Sequence, residues 1–312
     1  MRGRAGIQGR AARATLVLAL TLGLHLPAQA VVHITGDGSG NTLASPPADD
    51  PGISNAGAAT SFTSIYLRAG WVLTARHVGA VEVDFGGTTY FPVAGSLVQL
   101  MYDETTASDL AVYRINGSPD LPSLPFPIIA LSPPGVGEQV VAMGQGWNRQ
   151  SSLTAWDANW NEVPLPGAHR GYKRGGIHTL RWGRNVIDFV DLDFVWGGWK
   201  TRYFATAFDE VGVPDEMQAV TGDSGGAVWV KRDGEWELMG IMFLGFPIDE
   251  FQPTDTAVFG NFTGAVDLSW YRDQILDATA PEIPSLPVGF GLVLAAGLLG
   301  VARLGGQART TR

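Results

Sequence analysis

The sequence of 312 residues contains no cysteine. Disulfide bonds, thiolate nucleophiles and cysteine-ligated metal centres are therefore excluded, and any nucleophilic side chain must be of another type. Charged residues are also sparse, at 16%, and the formal net charge is −9 with no clusters of Lys or Arg. Because binding to a phosphate backbone needs concentrated positive charge, nucleic acid is not an expected partner.

Histidine is scarce, with only five residues in the chain, at positions 25, 33, 77, 169 and 178. No His-Glu-x-x-His pair is present, so the sequence predicts no metal and no cofactor. Long segments with helical periodicity are missing as well. The chain does have an apolar fraction of 45% and ten Trp, which is enough for buried cores in one large or two ordinary domains.

The N-terminus carries the features of a secretory signal peptide. Four arginines precede the apolar run Leu16–Leu26, and Ala28-Gln29-Ala30 supplies the small residues of a cleavage site. The apolar run is too short for a membrane span. We therefore expect residues 1–30 to be a signal peptide that is cleaved after Ala30, and the mature protein to be exported.

A second apolar segment lies at the other end of the chain. The short motif PEIP (Pro281–Pro284) is followed by the uncharged run Val288–Ala302 and then by arginines. This layout resembles the PEP-CTERM sorting signals of exported bacterial proteins, and a stop-transfer helix is the alternative. Both interpretations place the globular part outside the cytoplasm and give residues 280–312 a membrane-anchoring or sorting role.

Between these ends the sequence is typical of an all-β protein. Short strand-like runs alternate with Gly, Pro, Asn and Asp, and Gly86-Gly87 and Asp233-Gly234 are hairpin signals. The predicted strands are 70–78, 81–86, 88–93, 96–102, 109–115, 139–147, 179–192, 201–208 and 227–244. The proline-rich stretch 116–138 predicts a surface connection between two units, 31–135 and 136–279. Residues 148–178 lack a clear period and are interpreted as a long surface loop, and 266–276 as a closing helix.

The most informative motif is GDSGG at 222–226. Glycines around a serine are consistent with a plain turn, but a serine on a tight turn is also how a hydroxyl is presented as a nucleophile. A weak alcohol needs a base, and the chain supplies His77 near the end of one predicted strand and Asp109 at the start of another. In a catalytic triad the aspartate orients the imidazole of the histidine, and the imidazole accepts the proton of the serine. The order His, Asp, Ser along the chain is one in which such triads occur.

These motifs resemble those of the chymotrypsin/trypsin-like serine proteases across roughly 70–275. WVLTARH (71–77) is similar to the histidine motif, with Arg76 in place of an alanine, DLAV (109–112) is similar to the aspartate motif, and GDSGG matches the serine motif. The resemblance implies two Greek-key β-barrels with a C-terminal helix, the first barrel bearing His77 and Asp109 and the second bearing Ser224. It also implies a serine endopeptidase that acts on protein or peptide substrates.

The resemblance assigns further roles by position. The backbone N–H groups of Gly222 and Ser224 are the expected oxyanion donors. Gln218 corresponds to the floor of the primary specificity pocket, with Asp215 or Glu216 as alternatives if the loop length differs. Gly245 corresponds to the pocket entrance, and Phe243 stands where relatives have a serine that supports the triad.

Asp223 corresponds to the carboxylate that pairs with a new N-terminal amine in relatives activated by cleavage. The chain has no Ile-Val-Gly-Gly site, and Val31-Val32 after signal cleavage is the nearest imitation of one. The alternative is that Asp223 bonds within its own barrel.

Two other nucleophile arrangements are weaker. GDSGG also fits the Gly-x-Ser-x-Gly turn of α/β-hydrolases, but their histidine follows the serine and every histidine here precedes Ser224. An aspartate before His77, as in subtilisin-like proteases, would be Asp49 or Asp50, and both lie in a polar stretch without strands. The functional alternatives are a catalytically silent protease fold that serves as a binding module, and a surface protein that binds glycans through its tryptophans.

Overall fold

The computed structural model describes residues 31–117 and 120–281. The predicted signal peptide and almost all of the predicted sorting segment lie outside the described residues. Within those described ranges no helix has the length and apolar content to cross a membrane. The chain is mostly β, which confirms the all-β prediction.

The first half of the chain forms a seven-stranded antiparallel sheet, preceded by a short strand. The strands are β1 (Val32–His33), then β2 (Ala56–Ala59), β3 (Phe62–Tyr66), β4 (Trp71–Thr74), β5 (Val83–Phe85), β6 (Thr88–Tyr90), β7 (Val98–Met101) and β8 (Ala107–Arg114). Their order in the sheet is β6-β5-β2-β3-β4-β8-β7. The Val93 N–H donates to Arg114 O and the Asn116 N–H donates to Phe91 O, so the chain after β6 lies beside the end of β8 and completes a ring.

The second half forms a larger sheet that also closes on itself. Its strands are β9 (Ile128–Ile129), β10 (Gln139–Arg149), β11 (Thr154–Trp156), β12 (Glu162–Val163), β13 (His169–Trp196), β14 (Trp199–Ala207), β15 (Met217–Gln218), β16 (Ala227–Arg232), β17 (Glu235–Phe246), β18 (Thr256–Val258) and β19 (Phe262–Asp267). The order β10-β16-β17-β19-β14-β13 is closed by pairing of β13 with β10. β15 lies apart and pairs with β1.

The interior of each ring is filled by the alternate side chains of its strands. Apolar residues that face one side of a half-buried strand recur at every second position, which is the pattern that predicted these strands. Tyr66, Val72 and Tyr113 pack together in the interior of the first ring. Val228 and Met242 are buried in the interior of the second. The predicted hairpin turn at Asp233-Gly234 joins β16 to β17, and both residues have positive φ.

Two sequence-based predictions are corrected here, and two strands are added that the sequence did not predict. Residues 148–178 are not a long loop, because β11, β12 and the first part of β13 pair there, and β18 pairs with β13. The connection 116–138 is not wholly on the surface, since β9 pairs in parallel with β17 and Ile129 is buried. Strands β2 and β3 were not predicted, because the small residues of 56–66 give a weak hydrophobic alternation.

One α-helix, α1 (Leu268–Ala278), lies near the end of the described chain, and a short 3-10 helix (Ile53–Asn55) precedes β2. Helix α1 begins two residues later than predicted because Asp267 is its N-cap and accepts a hydrogen bond from Ser269 N–H at 2.9 Å. The Gln274 side chain bonds both backbone groups of Met101 in the first ring, at 2.8 Å each. The helix therefore fastens the second half of the chain onto the first.

Candidate active site

The register of two neighbouring strands brings His77 and Asp109 together. In the antiparallel pair β4 and β8, Trp71 lies opposite Arg114 and Thr74 lies opposite Ala111. If this register continues two residues beyond Thr74, position 76 lies opposite position 109. His77, which follows β4, therefore lies next to Asp109 at the start of β8.

Both oxygens of Asp109 accept a hydrogen bond from His77. The backbone N–H of His77 donates to Oδ1 at 2.8 Å, and the ring atom Nδ1 lies 2.7 Å from Oδ2. Because a carboxylate is an acceptor, Nδ1 carries the proton and Nε2 is left with its lone pair. The Asp109 side chain is 9% exposed and the His77 side chain is 25% exposed, so the pair is anchored inside while the imidazole reaches the surface.

Thr201, in the second half of the chain, supports this pair, and no motif in the sequence predicted its role. The backbone N–H of Asp109 donates to Oγ1 of Thr201 at 3.0 Å, and Thr201 is buried in β14. The position at which relatives are expected to carry a supporting serine is Phe243. That ring instead packs edge to face on Phe194 and Tyr203, at centroid distances of 5.8 and 5.5 Å.

Ser224 lies on a tight turn that is held between the two rings. Gly225 N–H donates to Met242 O at 2.8 Å, and Gly226 N–H donates to Asp223 O at 2.7 Å. From the first ring, Thr63 N–H donates to Ser224 O at 3.0 Å. Gly225 has φ of +85°, and a Cβ there would overlap the Thr63 carbonyl oxygen and the Thr74 hydroxyl. Glycine at 225 is therefore required for the turn to sit against the first ring.

Strand β3 lies against both the Ser224 turn and the His77 ring. Thr63 bonds the serine turn, and its neighbour Phe62 packs edge-on against the His77 ring at 6.5 Å. Among the described residues no hydrogen bond joins Ser224 Oγ to His77 Nε2. Neither the Gly222 nor the Ser224 N–H donates to an acceptor within residues 31–117 or 120–281, so both predicted oxyanion donors are without a partner there.

The carboxyl of Asp223 is buried beneath the turn. Burial raises its pKa to about 7, while the N–H groups of Val220 and Val31 act in the opposite direction. Oδ2 accepts from Val220 N–H at 2.8 Å, and Oδ1 has no hydrogen-bond partner in the described chain. Val31 itself is buried. Asp223 thus bonds within its own ring, as one alternative predicted, and also lies near the nitrogen of Val31, as the other requires.

An arginine holds the segment that leads to Val31. The guanidinium of Arg149 donates to the carbonyl oxygens of residues 33 to 36, with His33 O at 2.8 Å and Gly36 O at 2.7 Å. β1 also pairs with β15. Residues 31–36 are therefore fixed against the second ring.

The predicted pocket residues lie close to one another. Gln218 in β15 is buried, and its Oε1 has no hydrogen-bond partner among the described residues. A Cβ at Gly245 would lie 3.3 Å from the carbonyl oxygen of Ala219, the next residue. The Glu216 carboxylate is engaged in other contacts, because it accepts hydrogen bonds from the N–H groups of Val213 and Asp209. Burial raises its pKa to about 7.

His169 and His178 pack on tryptophans away from Asp109. His169 stacks on Trp160 at 4.2 Å and His178 packs on Trp147 at 4.1 Å. In the described part of the chain no group of three His, Asp or Glu side chains is arranged to hold a metal ion.

No protein family and no curated protein matches this sequence. Some of the solved structures that resemble the chain are serine proteases, all at low sequence identity. One is the active form of the Rv3671c protease from M. tuberculosis, with 18% identity, a TM-score of 0.38 and coverage of 72% of this chain and 76% of that one. Another is neuropsin, a serine protease expressed in the limbic system of mouse brain, with 17% identity, a TM-score of 0.45 and coverage of 73% and 95%.

Proposed function

We propose that this chain is a serine endopeptidase with two β-barrels of the chymotrypsin type, in which Ser224, His77 and Asp109 form the catalytic triad. The observation that carries the proposal is the pairing of His77 with Asp109. Both carboxylate oxygens hold the histidine, so the imidazole has one tautomer and one orientation, and Nε2 is free to accept a proton.

The reaction follows from these positions. His77 Nε2 removes the proton of Ser224 Oγ as that oxygen bonds to the carbonyl carbon of the substrate. The carbonyl π bond breaks and its electron pair goes to the oxygen, which the N–H groups of Gly222 and Ser224 stabilise. The C–N bond then breaks, and His77 returns the proton to the leaving amine. Water, activated by the same nitrogen, hydrolyses the acyl-enzyme and regenerates Ser224.

Polypeptides are the proposed substrates, with the side chain next to the cleaved bond bound near Gln218 and Gly245. The neutral amide at the pocket floor does not favour Arg or Lys strongly. The protein is proposed to be exported through its N-terminal signal and to be sorted or anchored through residues 280–312. Mapping both ends of the mature chain by mass spectrometry tests this, since an unprocessed Met1 would contradict export through a cleaved signal.

Signal cleavage is further proposed to complete the site. Cleavage after Ala30 turns the Val31 amide nitrogen into an ammonium group close to the buried carboxyl of Asp223. An ammonium would supply the partner that Oδ1 lacks among the described residues and fix the turn that bears Ser224. The unprocessed chain is then expected to be less active than the chain that begins at Val31.

Labelling with a fluorophosphonate probe is the direct test, because the probe reacts only with an activated serine. Wild-type protein is expected to be labelled at Ser224 and to hydrolyse peptides, whereas Ser224→Ala should fold, resist labelling and lose about 10⁴ to 10⁶ of its turnover. An unlabelled wild type that starts at Val31 would favour the alternative of a catalytically silent binding module. Equal hydrolysis by Ser224→Ala would refute the triad.

A further inference from the structure

The hairpin formed by β13 and β14 ends in two tryptophans beside the proposed site. Trp196 and Trp199 flank the turn Gly197-Gly198, in which both glycines have positive φ, and their rings meet edge to face at 5.9 Å. Trp196 is 57% exposed. A large aromatic ring left in water needs an explanation, because it is the kind of side chain that dominates binding sites.

The register fixes which side of the hairpin the two rings belong to. Cross-strand neighbours share a face, and Phe194 lies opposite Thr201 while Trp196 lies opposite Trp199. Because side chains alternate between faces, Phe194, Thr201 and both tryptophans lie on one face. Val195 is the nearest exposed residue on the other face.

At its base, this face of the hairpin contains residues that lie against the proposed triad and its surroundings. Thr201 accepts the hydrogen bond from Asp109 N–H, and Phe194 packs on Phe243 and Phe246. At the tip, the guanidinium of Arg76 lies 5.8 Å from the Trp199 ring, within the range of a cation–π contact. Arg76 immediately precedes His77. The tryptophans therefore continue the surface that supports the triad and extend it outward past His77.

A strand edge leads from the serine turn toward this face. Pairing of β17 with β16 ends near Ile241 and Ala227, and the last backbone bonds join Met242 to Gly225 and Gly226. Beyond that point, in the described chain, residues 244–246 pair only with β19. An extended peptide can add to such an edge, and alternate side chains would then face the hairpin.

We propose that Trp196, supported by Trp199 and Arg76, is a specificity-determining residue that binds a large apolar or aromatic side chain of a polypeptide substrate, two to four residues from the cleaved bond. This inference rests on the proposed endopeptidase function. The occupant is a substrate segment because the aromatic surface is continuous with the surface that supports the triad and with the free strand edge. The selected substrates are polypeptides, since a short ester or amide does not extend to the hairpin tip.

The test compares Trp196→Ala, Trp196→Phe and Val195→Ala in the full chain as processed by its host. Val195→Ala is the matched control, because Val195 is adjacent, exposed and on the opposite face of the hairpin. Two properties are measured for each protein: the cleavage profile on a proteome-derived peptide library, and the rate of Ser224 labelling by a fluorophosphonate, which touches the serine without reaching the tip.

Wild type and Val195→Ala are expected to show enrichment of aromatic and large aliphatic residues at one position two to four residues from the cleaved bond. Trp196→Ala should lose this enrichment and about tenfold of kcat/KM on the preferred peptide, with an unchanged labelling rate. Trp196→Phe should retain most of both. A merely structural role for the tryptophan pair would instead slow labelling and the cleavage of all peptides alike.

The inference is overturned if an active wild type shows no such enrichment or if Trp196→Ala keeps it. It is also overturned if the variant changes only self-association in sedimentation or binding to lipid vesicles, since the ring would then serve a second copy or a membrane. Absence of both labelling and hydrolysis in wild type would be a failure of the proposed function itself, and is distinguishable because it precedes any comparison of variants.

Discussion

Replacing Asp109 with Asn changes one atom of the side chain and affects both hydrogen bonds to His77. The carboxylate accepts from the backbone N–H of His77 at 2.8 Å and from Nδ1 at 2.7 Å. An amide has one acceptor and one donor end. If its oxygen keeps the backbone N–H, the NH₂ group faces Nδ1, which must then become an acceptor, and Nε2 then carries the proton.

That tautomer cannot accept the proton of Ser224, so the loss in kcat should be about 10⁴-fold, equivalent to about 5.5 kcal/mol of activation free energy. The opposite orientation of the amide places two donors against each other at the backbone of His77. Leaving a buried donor unsatisfied costs about 1 to 3 kcal/mol of folding free energy, so stability should fall by no more than this amount.

The assay is steady-state hydrolysis of a peptide together with urea-induced unfolding of the same preparation. The matched variant is Thr201→Val, which keeps the Asp109 carboxylate but removes the acceptor for its backbone N–H. We expect that variant to lose about 1 to 3 kcal/mol of stability and much less activity than Asp109→Asn. A folded Asp109→Asn protein that retains more than a tenth of wild-type kcat would refute the tautomer argument.

Three further predictions follow from the buried groups and the chain ends. Burial raises the pKa of Asp223 from 3.8 to about 7, so the folded state holds a proton that the unfolded state releases; stability of the uncleaved chain should fall as the pH rises from about 4 to 7. Asp223→Asn should reduce that slope in urea unfolding and leave the part contributed by Glu216, whose pKa burial also raises to about 7; an unchanged slope would contradict the prediction. Arg149→Met should lower the free energy of unfolding by about 2 to 5 kcal/mol, because several carbonyl oxygens of residues 33 to 36 lose their donor; a thermal melt within 1 °C of wild type would contradict this. A chain limited to residues 31–281 should be soluble and hydrolyse peptides, because α1 already fastens the two rings together, and failure to fold would mean that the C-terminal segment belongs to the core.

The sequence predicted one contact of the candidate site, that of His77 with Asp109, but not the residues that surround it. His77, Asp109 and Ser224 were chosen from motif spacing and chain order, and the structure places His77 and Asp109 in direct contact. Thr201 was not predicted, because its role depends on β14 crossing behind β8, and a threonine in a strand has no local feature that reveals such a contact. Arg149 was missed for the same reason, since its acceptors lie over 110 residues away.

The sequence by itself determined the strand-rich class, the hairpin at Asp233-Gly234, the presence of the last helix and the tight turn at 222–226. These features are local: alternation, turn residues and glycines act on a few neighbouring positions. The tertiary structure decided how the rings close and which strands residues 148–178 form. It also decided where Val31 and the Trp196 hairpin lie. Those outcomes depend on register and packing between distant segments, where each side chain is stabilised by partners that the neighbouring sequence does not contain.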